Sequence, residues 1–155
     1  MPAMNSIALA IEVTTRAREH SATELARIVQ AATAAQGQLD QLELYAADTA
    51  SRWCNSVDKQ ITTELMRHHY QFLDRLHHAI SLQRNVLESL GIQVDVAKNA
   101  LLQIEFRLAG LKQVSAKKRH ALNAQETRRD QRQMDELAAG QHSRQVKQRQ
   151  TGGRT

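Results

Sequence analysis

Apolar side chains recur along the first third of the chain at alternating steps of three and four. The series runs Met4, Ile7, Ile11, Thr14, Arg18, Ser21, Leu25, Ile28, Ala32, Ala35, Leu39, Leu42, Ala46, Thr49, Trp53. Only Thr14, Arg18, Ser21 and Thr49 break its apolar character, and three of these adjoin, so fraying or bending is expected near 14–21. Such alternation keeps one seam of a helix turned to a partner and is the signature of a coiled coil. A second series runs Leu73, Leu76, Ile80, Gln83, Leu87, Leu90, Val94, Ala97, Leu101, Ile104, Leu108, Leu111, with Gln83 its one polar member. Gly91 lies inside it and costs about 1 kcal/mol relative to alanine. The register passes through unshifted, which predicts one continuous helix.

Between the two series the pattern fails. Ser51 to Lys59 contains Ser, Asn and Asp, which compete for backbone hydrogen bonds and favour turns. Thr62 or Thr63, ahead of Glu64, is suited to cap a new helix. A turn is therefore expected within about 54–61.

The lengths of the two seams then predict how the helices pair. Folding back near residue 58 makes antiparallel partners sum to about 116, which sets Met4 opposite residue 112. The apolar seam of the second helix ends at Leu111, and the same register continues with Ser115 and Lys118. The seam stops where its partner runs out, as a hairpin requires. The expected fold is all-α: a two-helix antiparallel coiled-coil hairpin over 1–140, paired over about 75 Å at 1.5 Å per residue. Beyond 115 the second helix is expected to overhang, with Leu122, Met134 and Leu137 spaced among Arg, Gln and Glu. Gly140 reads as its stop, and residues 141–155 as a disordered basic tail.

Composition narrows the classes. Of 155 residues one is proline and six are glycine, too little turn chemistry for a many-stranded sheet. Aromatics make up 3%, too few to fill a globular core of this length. Cys54 is the only cysteine, so the chain forms no internal disulfide, and a reduced cytosolic thiol is expected. The short stretch Ile7–Ile11 has no preceding positive charge and is interrupted at Glu12, unlike a secretory signal. No apolar run approaches 18 residues. A cytoplasmic protein that docks on membrane machinery fits these features.

Charge is uneven. Residues 1–115 hold 11 basic and 12 acidic side chains, giving −1; residues 116–155 hold 10 and 4, giving +6; together these make the net +5. Lys117-Lys118-Arg119 and Arg128-Arg129 are the clusters. They form either a solvated tail or a docking end for an acidic surface. The tail lacks the aromatic platforms of single-strand binders, which disfavours nucleic acid.

Catalytic and metal chemistry finds no support. No two of the seven histidines stand four apart, and they read as surface residues. Asp74 and His77 have the spacing of a carboxylate-bridged metal bundle but lack the second pair and further glutamates. Gly37, Gly91 and Gly110 are isolated, so no phosphate loop exists. The reading is a non-enzymatic protein with no catalytic, cofactor-binding or metal residue.

One segment is more specific than the heptads. Arg129-Asp130-Gln131-Arg132-Gln133-Met134-Asp135-Glu136-Leu137-Ala138 resembles the C-terminal pattern of the flagellar export protein family FliJ: Asp-Gln, two polar residues, then Met-Asp-Glu-(Phe/Leu)-Ala. Gln38-Leu39 with Leu42 and Tyr45 resembles the end of that family's first helix. Tyr70-Gln71-Phe72-Leu73, then Leu76, Ala79-Ile80 and Gln83-Arg84, resembles the start of its second. The resemblance spans most of residues 6–140. It implies a hairpin similar to the coiled coil of the rotary ATP synthase gamma subunit, inserted as a stalk into the hexameric export ATPase ring. It further implies contacts with the ATPase regulator, with the cytoplasmic domain of the large export-gate membrane protein, and with export chaperones that are escorted and recycled. Its gate-binding pattern falls on Gln38, Leu42 and Tyr45 of helix 1 and on Phe72, Leu76 and Ala79 of helix 2. Thr49 stands where the pattern has Tyr, and Gln83 where it has His; both put the strength of the contact in question, not its location. The register also places Leu42 and Leu76 on the seam, as core. The end expected to dock in the ring carries Lys117, Lys118, Arg119, Arg128, Arg129, Met134 and Leu137. Rival readings are the equivalent stalk of a virulence type III system, a basic nucleic-acid-binding coiled coil, and a structural adaptor.

Overall fold

A computed structural model describes residues 2–55 and 61–153, with side chains from residue 5 onward. Two helices account for nearly all of it: α1, Pro2–Asn55, and α2, Thr63–Gly152. No strand occurs among the described residues. Ala, Leu, Gln, Arg and Glu dominate both helices and are the residues that lose least on becoming helical. The single proline, Pro2, stands at the first residue of α1, where a missing N–H costs no intrahelical bond.

The start of α2 is capped as its chemistry predicts. Thr62 lies outside the helix, and its Oγ1 accepts from the Leu65 N–H at 3.3 Å. Its carbonyl takes the Met66 N–H at 3.1 Å. Glu64 adds an acidic group in the first turn, where the helix dipole favours one. α1 ends at Asn55, inside the span expected for the turn; the core of that turn, 56–60, lies outside the described residues.

α2 passes through Gly91, Gly110 and Gly140 without a break. The stop expected at Gly140 is therefore displaced to Gly152, and the segment read as a disordered tail is helical through that residue. One glycine costs a helix only about 1 kcal/mol. Ala138-Ala139 before it and the Gln-, Arg- and Lys-rich stretch after it favour helix enough to carry α2 through.

Packing divides the chain into two compact units, Thr14–Phe106 and Met1–Val13 with Arg107–Thr155. In the first, the helices form an antiparallel hairpin. Its core is Leu39, Ala46, Leu76 and Ile80, with Leu42 and Leu87 packed against it. Ile28 and Ala35 extend the buried row along α1. Every seam position expected in this unit is buried or half-buried, Thr14, Arg18 and Ser21 included. The seam is narrow, for no described side chain falls below 2% exposure.

In the second unit Ile7 and Ile11 are half-buried on α1, while Leu108 is buried and Leu111 half-buried on α2. Met4 lies outside the described side chains. Ser115 and Leu122, which keep the register, and Ala124, which does not, are half-buried, whereas the register position Lys118 is exposed. From Gln125 to Gly153 every residue is exposed.

Candidate docking surface

Positions 38, 42, 45 and 49 fall at i, i+4, i+7 and i+11 on α1, and 72, 76, 79 and 83 repeat that spacing on α2. Each set therefore lies along one helix face. Within the Thr14–Phe106 hairpin the two faces come together. The Tyr45 and Phe72 rings meet edge to face, with centroids 6.0 Å apart and planes at 85°. That arrangement sets a positive ring edge against a negative ring face. Tyr45 keeps 54% of its surface exposed and Phe72 40%.

Behind this pair is the core. Leu76 is buried, Leu42 is half-buried against the same cluster, and Ala79 is half-buried. Leu42 and Leu76 thus hold the hairpin together, as their seam register implied, while Gln38, Tyr45 and Phe72 are exposed beside it. Thr49 and Gln83 are both half-buried.

Gln83 does more than the sequence suggested. Its Nε2 donates to the Ala35 carbonyl at 2.9 Å and to Gln38 Oε1 at 3.1 Å, tying α2 to α1 and orienting Gln38. A lone polar residue in an otherwise apolar seam is the signal that pointed there. One residue on, the Arg84 guanidinium donates to Glu43 Oε1 at 3.0 Å across the hairpin.

A second ring contact was not legible from spacing. Trp53 and His69 stack with centroids 3.9 Å apart and planes at 8°, and Tyr70 lies 6.0 Å from His69. His69 is half-buried, which corrects the reading of every histidine as a surface residue. Cys54, next to Trp53, is exposed.

The residues expected to dock in a ring are all exposed and all on α2 in the other unit. They do not form one patch. At about 100° per residue, Lys117 and Arg128 share one direction, Lys118 and Arg129 another, and Arg119 with Leu137 a third. Met134 and Leu137, three apart, share a face and are 70% and 66% exposed. These cations thus spread over somewhat more than half of the helix circumference, with an apolar strip near Met134.

Among the described residues no three His, Cys, Asp or Glu side chains are grouped to hold a metal ion. No described helix is long and apolar enough to cross a membrane. The sequence matches the family described as flagellar FliJ protein over residues 5–147. No curated protein and no solved structure matches it.

Proposed function

The chain belongs to the flagellar FliJ protein family and is thus a component of flagellar type III export, and from that premise we propose that it acts as a non-enzymatic stalk between the export ATPase ring and the export gate. The gate end of this reading is carried by one observation, the half-exposed Tyr45–Phe72 pair on a buried aliphatic core. Aromatic anchors standing on a rigid, well-packed base are what protein interfaces use as hot spots. Gln38, held by Gln83, supplies a positioned amide beside them. Leu42, Leu76 and Ala79 support the anchors from beneath. The partner is the cytoplasmic domain of the large export-gate protein.

The ring end is the basic stretch of α2. Lys117, Lys118, Arg119, Arg128 and Arg129 spread over somewhat more than half of the helix circumference, so a partner that encircles it meets positive charge over a broad arc. Met134 and Leu137 add exposed apolar contacts to the same stretch. An acidic lining in the export ATPase and its regulator is the matching chemistry. Escort of export chaperones, and residence in the cytoplasm at the flagellar base, complete the proposed role.

The deciding experiment is calorimetric titration of the full chain with the purified gate domain, using wild type, Tyr45→Ala and Phe72→Ala. Each substitution is expected to weaken binding by about tenfold or more, with helicity by circular dichroism nearly unchanged. Undiminished affinity in both variants rejects the gate assignment.

A further inference from the structure

The polar group beside the Tyr45–Phe72 pair has its direction fixed from inside the hairpin. Gln83 Nε2 donates to the Ala35 carbonyl at 2.9 Å and to Gln38 Oε1 at 3.1 Å. A main-chain carbonyl only accepts, so Gln83 must turn its nitrogen, not its oxygen, towards Ala35. That nitrogen has one N–H left, and it is directed at Gln38. Gln38 must answer with its oxygen. Its own NH2 is then turned outward, and neither N–H has a partner among the described residues. The placing of nitrogen and oxygen thus runs from a group that cannot flip, through half-buried Gln83, to an exposed side chain.

A cation stands on the same surface. Tyr45 and Phe72 meet across the hairpin. Antiparallel counting then sets Gln38, seven residues back along α1, level with Ala79, seven residues on along α2. Arg75 falls between Phe72 and Ala79 on one helix face, three after the first and four before the second. It is exposed and makes no ion pair among the described residues. Nearby carboxylates are engaged or turned away. Glu43 accepts from Arg84 at 3.0 Å, and Asp48 pairs with Arg52 at 3.2 Å. Asp74 falls about 160° round α2 from Phe72.

The surface beside the two rings therefore offers donors. An NH2 alone would suit a carbonyl or a carboxylate equally. The guanidinium one turn along α2 selects the carboxylate and would repel a cation placed there.

We propose that Gln83 is a positioning residue for gate recognition: it holds the Gln38 NH2 outward, beside Arg75, to donate to a carboxylate of the gate domain. This rests on the gate reading and adds to it the charge and polarity of the group on the other side.

The test is calorimetric titration of the full chain with the purified gate domain. Gln38→Glu keeps an oxygen for Gln83 and puts a second oxygen where the NH2 was. It should weaken binding about thirtyfold, against about fivefold for Gln38→Met, which only deletes the donor. Arg75→Gln should weaken binding about fivefold and flatten its fall with added salt. Gln83→Leu should weaken binding about threefold. Gln38→Met combined with Gln83→Leu should lose no more than Gln38→Met alone, because Gln83 acts through Gln38. Three results overturn the proposal while Tyr45→Ala still weakens binding. They are Gln38→Glu binding as tightly as wild type or tighter, Arg75→Gln leaving both affinity and salt dependence unchanged, and the two single losses multiplying in the double variant. Undiminished binding by both Tyr45→Ala and Phe72→Ala removes the gate surface itself, and this contact with it.

Discussion

Removing the Tyr45–Phe72 pair separates what those rings do for the fold from what they do for a partner. Phe72 is 40% exposed, so truncation to alanine gives up somewhat more than half of its burial. Complete burial of such a side chain is worth about 1.5–3 kcal/mol, which puts the loss near 1–1.5 kcal/mol. The edge-to-face contact adds about 0.5–1.5 kcal/mol and is lost with either ring. Phe72→Ala should therefore destabilise the hairpin by about 2 kcal/mol, and Tyr45→Ala, at 54% exposure, by about 1.5 kcal/mol. The double variant should fall short of the sum by about 1 kcal/mol, because the shared contact is counted once. Ile80→Ala is the control: Ile80 is 5% exposed, and emptying its site should cost about 3 kcal/mol. Urea unfolding followed at 222 nm gives these values. Gate affinity, measured where every variant is still folded, should fall for Tyr45→Ala and Phe72→Ala but not for Ile80→Ala. Additive stabilities would refute the ring contact. Equal affinity losses in all three variants would refute the surface, since binding would then merely follow stability.

Other expectations come from the same coordinates. Gly37→Ala and Gly91→Ala should each raise hairpin stability by about 1 kcal/mol, read as a higher urea midpoint, because the added methyl enters open space. Gln83→Leu should stabilise the seam by about 1 kcal/mol yet release Gln38, so gate affinity should drop while the melting temperature climbs. Truncation after residue 115 should abolish stimulation of the export ATPase and leave the circular dichroism of the Thr14–Phe106 hairpin intact; unchanged stimulation would reject the ring assignment. The Glu24 carboxyl is held below its ordinary value, first by the hydrogen bond from Arg27, so its contribution is present at neutral pH and is lost as pH falls through the carboxylate range. That pair stands in solvent, and Glu24→Gln should leave the melting temperature at neutral pH within about 1 °C of wild type.

The seams were legible because a step of three and four is a local property: helix geometry alone decides which side chains share a face. Hence Arg18 and Ser21, poor core residues by chemistry, are half-buried where the register put them. The Thr62 cap was legible for a similar reason, since only a short side-chain oxygen reaches back to the first free N–H groups. The Tyr45–Phe72 contact agrees with one further quantity, the constant sum of antiparallel partners, because 45 and 72 add to within one of the expected value. What stayed hidden depends on the third dimension. Trp53 was placed on the seam, yet nothing in one-dimensional spacing announces that His69 lies flat against it. Gly91 read as a cost to α2 and Gly37 as an isolated glycine. That a methyl added at either meets no neighbouring atom emerges only from the three-dimensional packing. The end of α2 was misplaced because a glycine signals a stop only when nothing after it favours helix.

The narrow seam has a consequence for how this protein persists in a cell. With no described side chain withdrawn fully from water, the contacts that join α1 to α2 are within reach of anything lying against the hairpin. A gate domain over Tyr45 and Phe72 would complete burial that the chain begins and does not finish. Such a partner binds the folded hairpin and not the unfolded chain, so occupancy feeds directly into folding. Free copies would then be the ones opened and degraded first, and the abundance of the protein would track the number of export machines ready to receive it.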